Sequence, residues 1–318
     1  MQETPIGWTD FSTNLLRYRD AEGNVVHACV RISDGCRFCY ACALAGRWGR
    51  KGKDFTAENM KSLTPFFDEQ EAAKVLKSRK IRGQKVFIDD MTDLFGDWVP
   101  DEIIDQHFAI FALRPDVTFQ VLTKRAQRMR EYFSADWHRR VAALLMENRA
   151  QISNDYEQQV AQGRAFGSLT CGPHESRFLA NVHLGVSVED QKTVDIRLPF
   201  LLEIPAAVRW VSVEPLLGDV EFGDPPPNLD RPSYFYGYKN FRPTDKHDID
   251  GIVIGGESGS GHRQMPLESA LKLARYAHKA GVSVYFKQDS GPRPGMQGRV
   301  PDDVWAMKEW PEAKAVTV

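Results

Sequence analysis

Six short apolar runs, rich in β-branched and aromatic residues and each followed by polar ones, constrain this chain more than any other feature. They occupy residues 86–88, 118–122, 182–186, 208–211, 251–254 and 282–286. Runs of this length and composition read as strands buried on both faces. Their spacing leaves room for a helix and two loops between successive strands, the pattern of βαβ units. The stretch around 25–30 is a further candidate strand. Helical periodicity supports the reading: residues 266–281 begin with Pro266, carry Ala270, Leu271, Ala274 and Ala277 on one stripe and stop at Gly281. Residues 101–112 repeat the logic with Ile104, Phe108 and Phe111.

Six or seven such units predict an α/β fold, a full or partial (β/α) barrel formed by a single domain over 1–318, with an open doubly wound sheet as the competing arrangement. The longer gaps, about 135–178 and 220–248, read as insertions, and no internal repeat is evident. The residues just past the strands are polar: Asp89, Asp90 and Asp93; Thr123, Lys124 and Arg125; Ser187 and Glu189; Ser212 and Glu214; Gly255, Gly256 and Glu257; Lys287 and Asp289. In a barrel the C-terminal strand ends share one face, so these predict one polar pocket. For Ser187 and Ser212 a helix cap is an equal reading.

Cysteine usage adds chemistry. Cys29, Cys36, Cys39 and Cys42 fall within fourteen residues, in a loop over 27–43, while the rest of the 318-residue chain has only Cys171. Clustered thiolates are soft ligands that suit zinc or an iron–sulfur cluster. Spacing alone leaves both open, and His27 with Cys29 offers a zinc pair. The N-terminus lacks a basic start and an apolar core, and no apolar stretch is long enough to span a bilayer, so the expected setting is the cytoplasm without membrane attachment. A reducing compartment argues against disulfides.

Net charge is −2, but residues 31–85 carry thirteen Lys and Arg against six Asp and Glu. A second basic cluster is Lys124, Arg125, Arg128 and Arg130. Such clusters suit phosphate binding, with a solvated helix face as the bland reading for Lys74 to Lys80. Arg47 to Lys53, interleaved with Trp48 and followed by Phe55, is the better contact candidate.

Several motifs, taken in order, carry a family resemblance: Ile6-Gly7-Trp8-Thr9, Cys29-x6-Cys36-x2-Cys39-Tyr40-Ala41, Thr123-Lys124-Arg125, Leu184-Gly185-Val186-Ser187-Val188-Glu189, Val211-Ser212-Val213-Glu214-Pro215-Leu216-Leu217-Gly218, Ile254-Gly255-Gly256-Glu257-Ser258-Gly259 and Phe286-Lys287-Gln288. Together they resemble the phage-associated three-cysteine-motif family, itself similar to radical S-adenosylmethionine (SAM) enzymes. The resemblance implies a barrel of radical SAM type and a 4Fe-4S cluster on Cys29, Cys36 and Cys39, with an open iron for SAM. It implies reductive cleavage of SAM, fed by an electron donor, to modify, rearrange or repair a nucleic-acid base. The phage setting points to DNA in a host cytoplasm, with a hypermodified pyrimidine as one substrate.

Cofactor-binding candidates are Tyr40, Asp89, Ser187, Glu189, Glu214, Gly255, Gly256 and Glu257; catalytic candidates are Glu214, Lys124 and Lys287. Salt bridges from Lys124, Arg125 and Lys287 to Asp89, Asp93 or Glu214 are the alternative for the basic residues. Two departures stand out. Radical SAM enzymes usually carry C-x3-C-x2-C, and Cys42 stands where the family commonly has Glu; it is expected on the helix after the loop, pointing away. The competing functions are a zinc-stabilised nucleic-acid-binding module and a non-catalytic iron–sulfur protein using all four cysteines.

Overall fold

The apolar runs form strands almost where their composition places them. The computed structural model describes residues 1–47, 55–147, 178–222 and 249–313, with residues 160, 163, 164, 166, 167, 169 and 170 between. The strands are β1 (Gln2–Glu3), β2 (Phe11–Thr13), β3 (Leu16–Arg19), β4 (Val25–Val26), β5 (Thr64–Phe67), β6 (Lys85–Ile88), β7 (Thr118–Thr123), β8 (Val182–Val188), β9 (Val208–Val213), β10 (Gly251–Gly255) and β11 (Ser283–Gln288). The helices are α1 (Tyr40–Arg47), α2 (Ala57–Met60), α3 (Glu69–Lys77), α4 (Asp101–Leu113), α5 (Ala126–Ser134), α6 (Trp137–Glu147), α7 (Gln191–Leu202), α8 (Leu267–Lys279) and α9 (Asp302–Trp305). The fold is mixed α/β, with one eight-stranded sheet in the order β1-β2-β6-β7-β8-β9-β10-β11 and a three-stranded sheet β4-β3-β5.

The chain divides into two compact units, Met1–His183 with Ile204–Ala207, and Leu184–Glu203 with Val208–Lys314. In the first, β1 is antiparallel to β2, while β2, β6 and β7 run parallel. Helices α4 to α6 bury a ring-rich core: Phe108 lies 5.4 Å from Trp137, and Phe111 stacks on Phe119 at 4.5 Å. Asn181 ties this layer together by donating to the carbonyls of Phe111, Arg114 and Val117. In the second, β9, β10 and β11 are parallel, and every residue of β9 and β10 is buried; β10 runs apolar without alternation, while β9 buries Arg209 and Ser212 among its apolar residues.

Three expectations change. The strand expected around 25–30 is only Val25–Val26, and it pairs antiparallel with β3 in the small sheet. The stripe on α8 is Ala270, Leu273, Ala274 and Ala277, the i, i+3, i+4, i+7 set of a helix; Leu271 lies beside it, only partly buried. The stretch from 135 begins with α6 rather than a loop, because Trp137, Val141 and Leu145 recur at helical spacing and are buried. Residues 48–53 of the basic segment, and 223–248 of the second expected insertion, lie outside the described residues. Among the described residues, no helix is long and apolar enough to cross a membrane.

Candidate functional site

The cysteine loop belongs to the first unit. After β4 the chain is irregular until Ser33, whose extended backbone starts a single 3-10 turn, Asp34–Cys36. The Cys36 amide donates to Ser33 O, and the Cys39 amide to Cys36 O. Helix α1 then starts at Tyr40, so Cys39 sits just before the helix and Cys42 in its first turn.

Cys29, Cys39 and Cys42 pack with Leu44 against Ala41, Ala45, Phe55 and Met91. Burial pushes the Cys29 thiol up to about 12, with the nearby Asp93 charge adding to the rise and Arg125 opposing it. Burial also raises Cys39, against the opposing effect of hydrogen bonds from the amides of Cys42 and Ala41. The charges of Cys29 and Cys39, and of Cys39 and Cys36, act on one another. The Cys42 sulfur instead accepts from Arg31 Nη2 at 3.6 Å. Ile32, Phe38 and Tyr40 are exposed on this loop, with the Arg37 guanidinium 5.4 Å from the centre of the Phe38 ring.

The ends of β6 and β7 meet the loop. Thr92 Oγ1 donates to Ala28 O at 2.6 Å, and Arg125 Nη2 donates to Val30 O at 3.0 Å. Arg125 Nη1 lies 3.0 Å from Asp93 Oδ2, and Thr123 Oγ1 donates to the other Asp93 oxygen at 2.6 Å. Tyr40 OH donates to Asp90 O at 2.6 Å, tying α1 to the end of β6. The Asp90 carboxyl is raised by burial, against the Asn14 amide that donates to it. Asp89 adopts the left-handed conformation, φ 57°, and is buried. One of its oxygens takes the amides of Leu15 and Leu16 at 2.8 and 3.0 Å, and the other lies 2.9 Å from His107 Nε2. Lys124 is partly buried and donates its amide to Asp93.

The second unit holds the remaining candidates. Glu214 accepts at Oε1 from Lys287, 3.0 Å away, and at Oε2 from the Ser212 hydroxyl at 3.4 Å. Ser187 donates to Glu214 O at 3.1 Å. Neither serine caps a helix; α7 is capped by Asp190 in a reciprocal box with Thr193. Buried Glu189 pairs with Arg197 at 3.2 Å. Buried Glu257 takes the amide and guanidinium of Arg263. At Gly255 a Cβ would meet Glu214 Oε1 at 2.5 Å, so a side chain there would displace the carboxylate. Gln288 Nε2 donates to Gly256 O at 2.7 Å.

In the first unit, then, two strand-end acidic residues, Asp90 and Asp93, and two basic residues, Lys124 and Arg125, lie with the cysteine loop; in the second, Glu214, Lys287, Ser212 and Gly255 form one contact group. Asp89, Glu189 and Glu257 are engaged inside the fold. Thr92, Arg197 and Arg263 are partners that the sequence reading missed. Arg197 and Arg263 follow their carboxylates by eight and six residues, which is a usable signal; Thr92 binds a main-chain carbonyl and leaves none. Among the described residues, no three His, Cys, Asp or Glu side chains are grouped to hold a single metal ion.

A family model described as a protein of unknown function matches residues 12–302. No curated protein and no solved structure matches the chain.

Proposed function

Because the chain belongs to the family DUF5131, whose function is unknown, we propose its role from its own residues: an iron–sulfur enzyme of radical SAM type that modifies, rearranges or repairs a nucleic-acid base, DNA by preference. The observation that carries this reading is that the loop bearing Cys29, Cys36 and Cys39 is hydrogen-bonded, through Ala28 O and Val30 O, to residues just past the C-terminal ends of two parallel strands, β6 and β7. The eight-stranded sheet is compatible with a partial (β/α) barrel of that type.

The donor set suits a 4Fe-4S cluster in its chemistry. Three soft thiols lie on one loop, and two amides already donate to the Cys39 sulfur, the kind of hydrogen bond that tunes cluster potentials. Cys29, Cys36 and Cys39 would hold the cluster, leaving one iron for SAM. Cys42, directed to Arg31 from the first turn of α1, would stay outside the ligand set. When bound, the cluster supplies the electron that cleaves SAM into methionine and a 5′-deoxyadenosyl radical.

The chain's own residues would orient and neutralise. Arg125 places a cation beside Cys29, which offsets negative charge accumulating on the loop. Tyr40, held by Asp90 O and half exposed, presents its ring at the loop for a cofactor. Glu214 and Lys287 form a partly exposed ion pair that would offer polar atoms of a substrate or cofactor one charge of each sign. Exposed Arg37 and partly buried Lys124 add to the basic segment that would meet phosphates.

Anaerobic reconstitution with iron and sulfide, followed by dithionite-driven conversion of SAM to 5′-deoxyadenosine, tests this function. A brown protein that makes 5′-deoxyadenosine, and loses both colour and turnover in Cys36→Ala, is expected. Turnover retained in Cys36→Ala would overturn the mechanism. A colourless protein with stoichiometric zinc would mark the chain as a zinc-stabilised binding module.

A further inference from the structure

Cys36 and Cys39 are placed by local structure: the 3-10 turn, Ser33 and the start of α1 all lie within a few residues of them. Cys29 has no such support. It is separated from Cys36 by the irregular stretch 30–33 and the first two residues of the 3-10 turn, and its sulfur, packed against apolar side chains, lies 3.8 Å from Val30 O. Its position is fixed from elsewhere in the chain.

We propose that Thr92 and Arg125 are positioning residues that grip the main chain on both sides of Cys29 and so present its sulfur to the cluster. The carbonyl before Cys29, Ala28 O, takes the Thr92 hydroxyl, and the carbonyl after it, Val30 O, takes the Arg125 guanidinium. Both grips are themselves held. Thr92 spends its single proton on Ala28, so Tyr18 OH, 2.9 Å away, donates to Thr92, and Trp98 Nε1 donates to Tyr18 at 2.8 Å. The result is one directed chain, indole to phenol to hydroxyl to carbonyl, with Tyr18 fully buried.

Arg125 is fixed from two sides. Its guanidinium lies over the same Trp98 ring at 4.5 Å and bonds Asp93, 6% exposed, whose oxygens also take the Thr123 hydroxyl and the amides of Phe95 and Lys124. Trp98 therefore braces both arms of the grip, one through its N–H and one through its ring face. The Arg125–Asp93 hydrogen bond is charge-assisted, and with Nη1 spent on Asp93 and Nη2 on Val30 O it fixes the direction of the guanidinium as well as contributing energy.

The purpose of the grip rests on the cluster reading, but its existence is testable without a cluster. In metal-free, reduced protein, the rate at which iodoacetamide alkylates Cys29 is measured by peptide mass spectrometry, with Cys36 as the internal reference. Thr92→Val should raise the Cys29 rate roughly tenfold relative to Cys36, the equivalent of one lost hydrogen bond of about 1.4 kcal/mol. Thr92→Ser should restore the wild-type ratio. Arg125→Lys keeps a cation for Asp93 while losing the reach to Val30, and should raise the same ratio should Thr92→Val not fold. A Cys29-to-Cys36 ratio unchanged in Thr92→Val and Arg125→Lys, or one that Thr92→Ser does not restore, would overturn the grip.

Iron per chain and the visible spectrum after reconstitution complete the test. Thr92→Val is expected to lose iron while its metal-free circular dichroism matches wild type. Wild-type iron and spectrum in a variant with a loosened Cys29 would overturn the positioning role. Wild-type protein that takes up no iron would instead remove the cluster reading, with the alkylation ratios still deciding the grip.

Discussion

The Lys287 ammonium lies 3.0 Å from the Glu214 carboxylate, and the same Glu214 oxygen stands where a side chain at Gly255 would begin. Three parallel strands, β9, β10 and β11, thus contribute one residue each, at or just past their ends, to a single contact. The missing side chain on the middle strand is what lets the charged pair close over it.

Gly255→Ala should therefore push the Glu214 carboxylate off its place and destabilise the protein by up to about 1 kcal/mol, the scale of one partly exposed ion pair. In a Glu214→Ala background the same substitution should cost close to nothing. Urea unfolding of the four proteins in this double-mutant cycle measures the coupling.

His183 gives an acid limit to stability. It is buried in β8, and burial holds its imidazole at about 4, below the ordinary 6.5. Between those values the unfolded chain binds a proton that the folded chain does not, so stability falls as pH drops through this window. The expected loss between pH 7 and pH 5 is about 2 kcal/mol from this one group. Unfolding free energies from urea titrations at the two pH values should differ less in His183→Gln than in wild type, by that amount.

Cys42→Ala should leave the iron content and visible absorption of reconstituted protein at wild-type levels, because Cys42 is directed to Arg31 from within α1. Iron analysis of this variant beside Cys36→Ala decides whether three or four cysteines hold the cluster.

Arg37 is exposed on the cysteine loop. With single-stranded DNA as probe, Arg37→Ala should weaken binding equally across sequences. The slope of log affinity against log salt should become shallower by about 0.7, the value of one phosphate contact on a single strand. A fluorescence-anisotropy salt titration measures both.

The sequence made the main strands legible because each carries a core of β-branched and aromatic residues, with every residue of β8, β9 and β10 buried. The small sheet was legible only at its β4 edge, where a strand was expected around 25–30. Leu16–Arg19 carries two arginines and Val25–Val26 is two residues long, too short for periodicity to register. At the site, residue types were informative where the partners are side chains: Arg125 with Asp93 and Lys287 with Glu214 are the ion pairs weighed from sequence as alternatives to phosphate or cofactor contacts. Thr92 was invisible for the opposite reason. Its acceptor is the main chain of Ala28, and a carbonyl is the same at every position.

Those carbonyl contacts have a bearing on maturation. They join the main chain around Cys29 to residues 64 and 95 positions further along the chain, so this part of the loop takes its place together with β6 and β7. A zinc finger folds around its ion; the proposed cluster would instead be received by a scaffold already folded, with iron delivered to the finished protein rather than to the nascent chain.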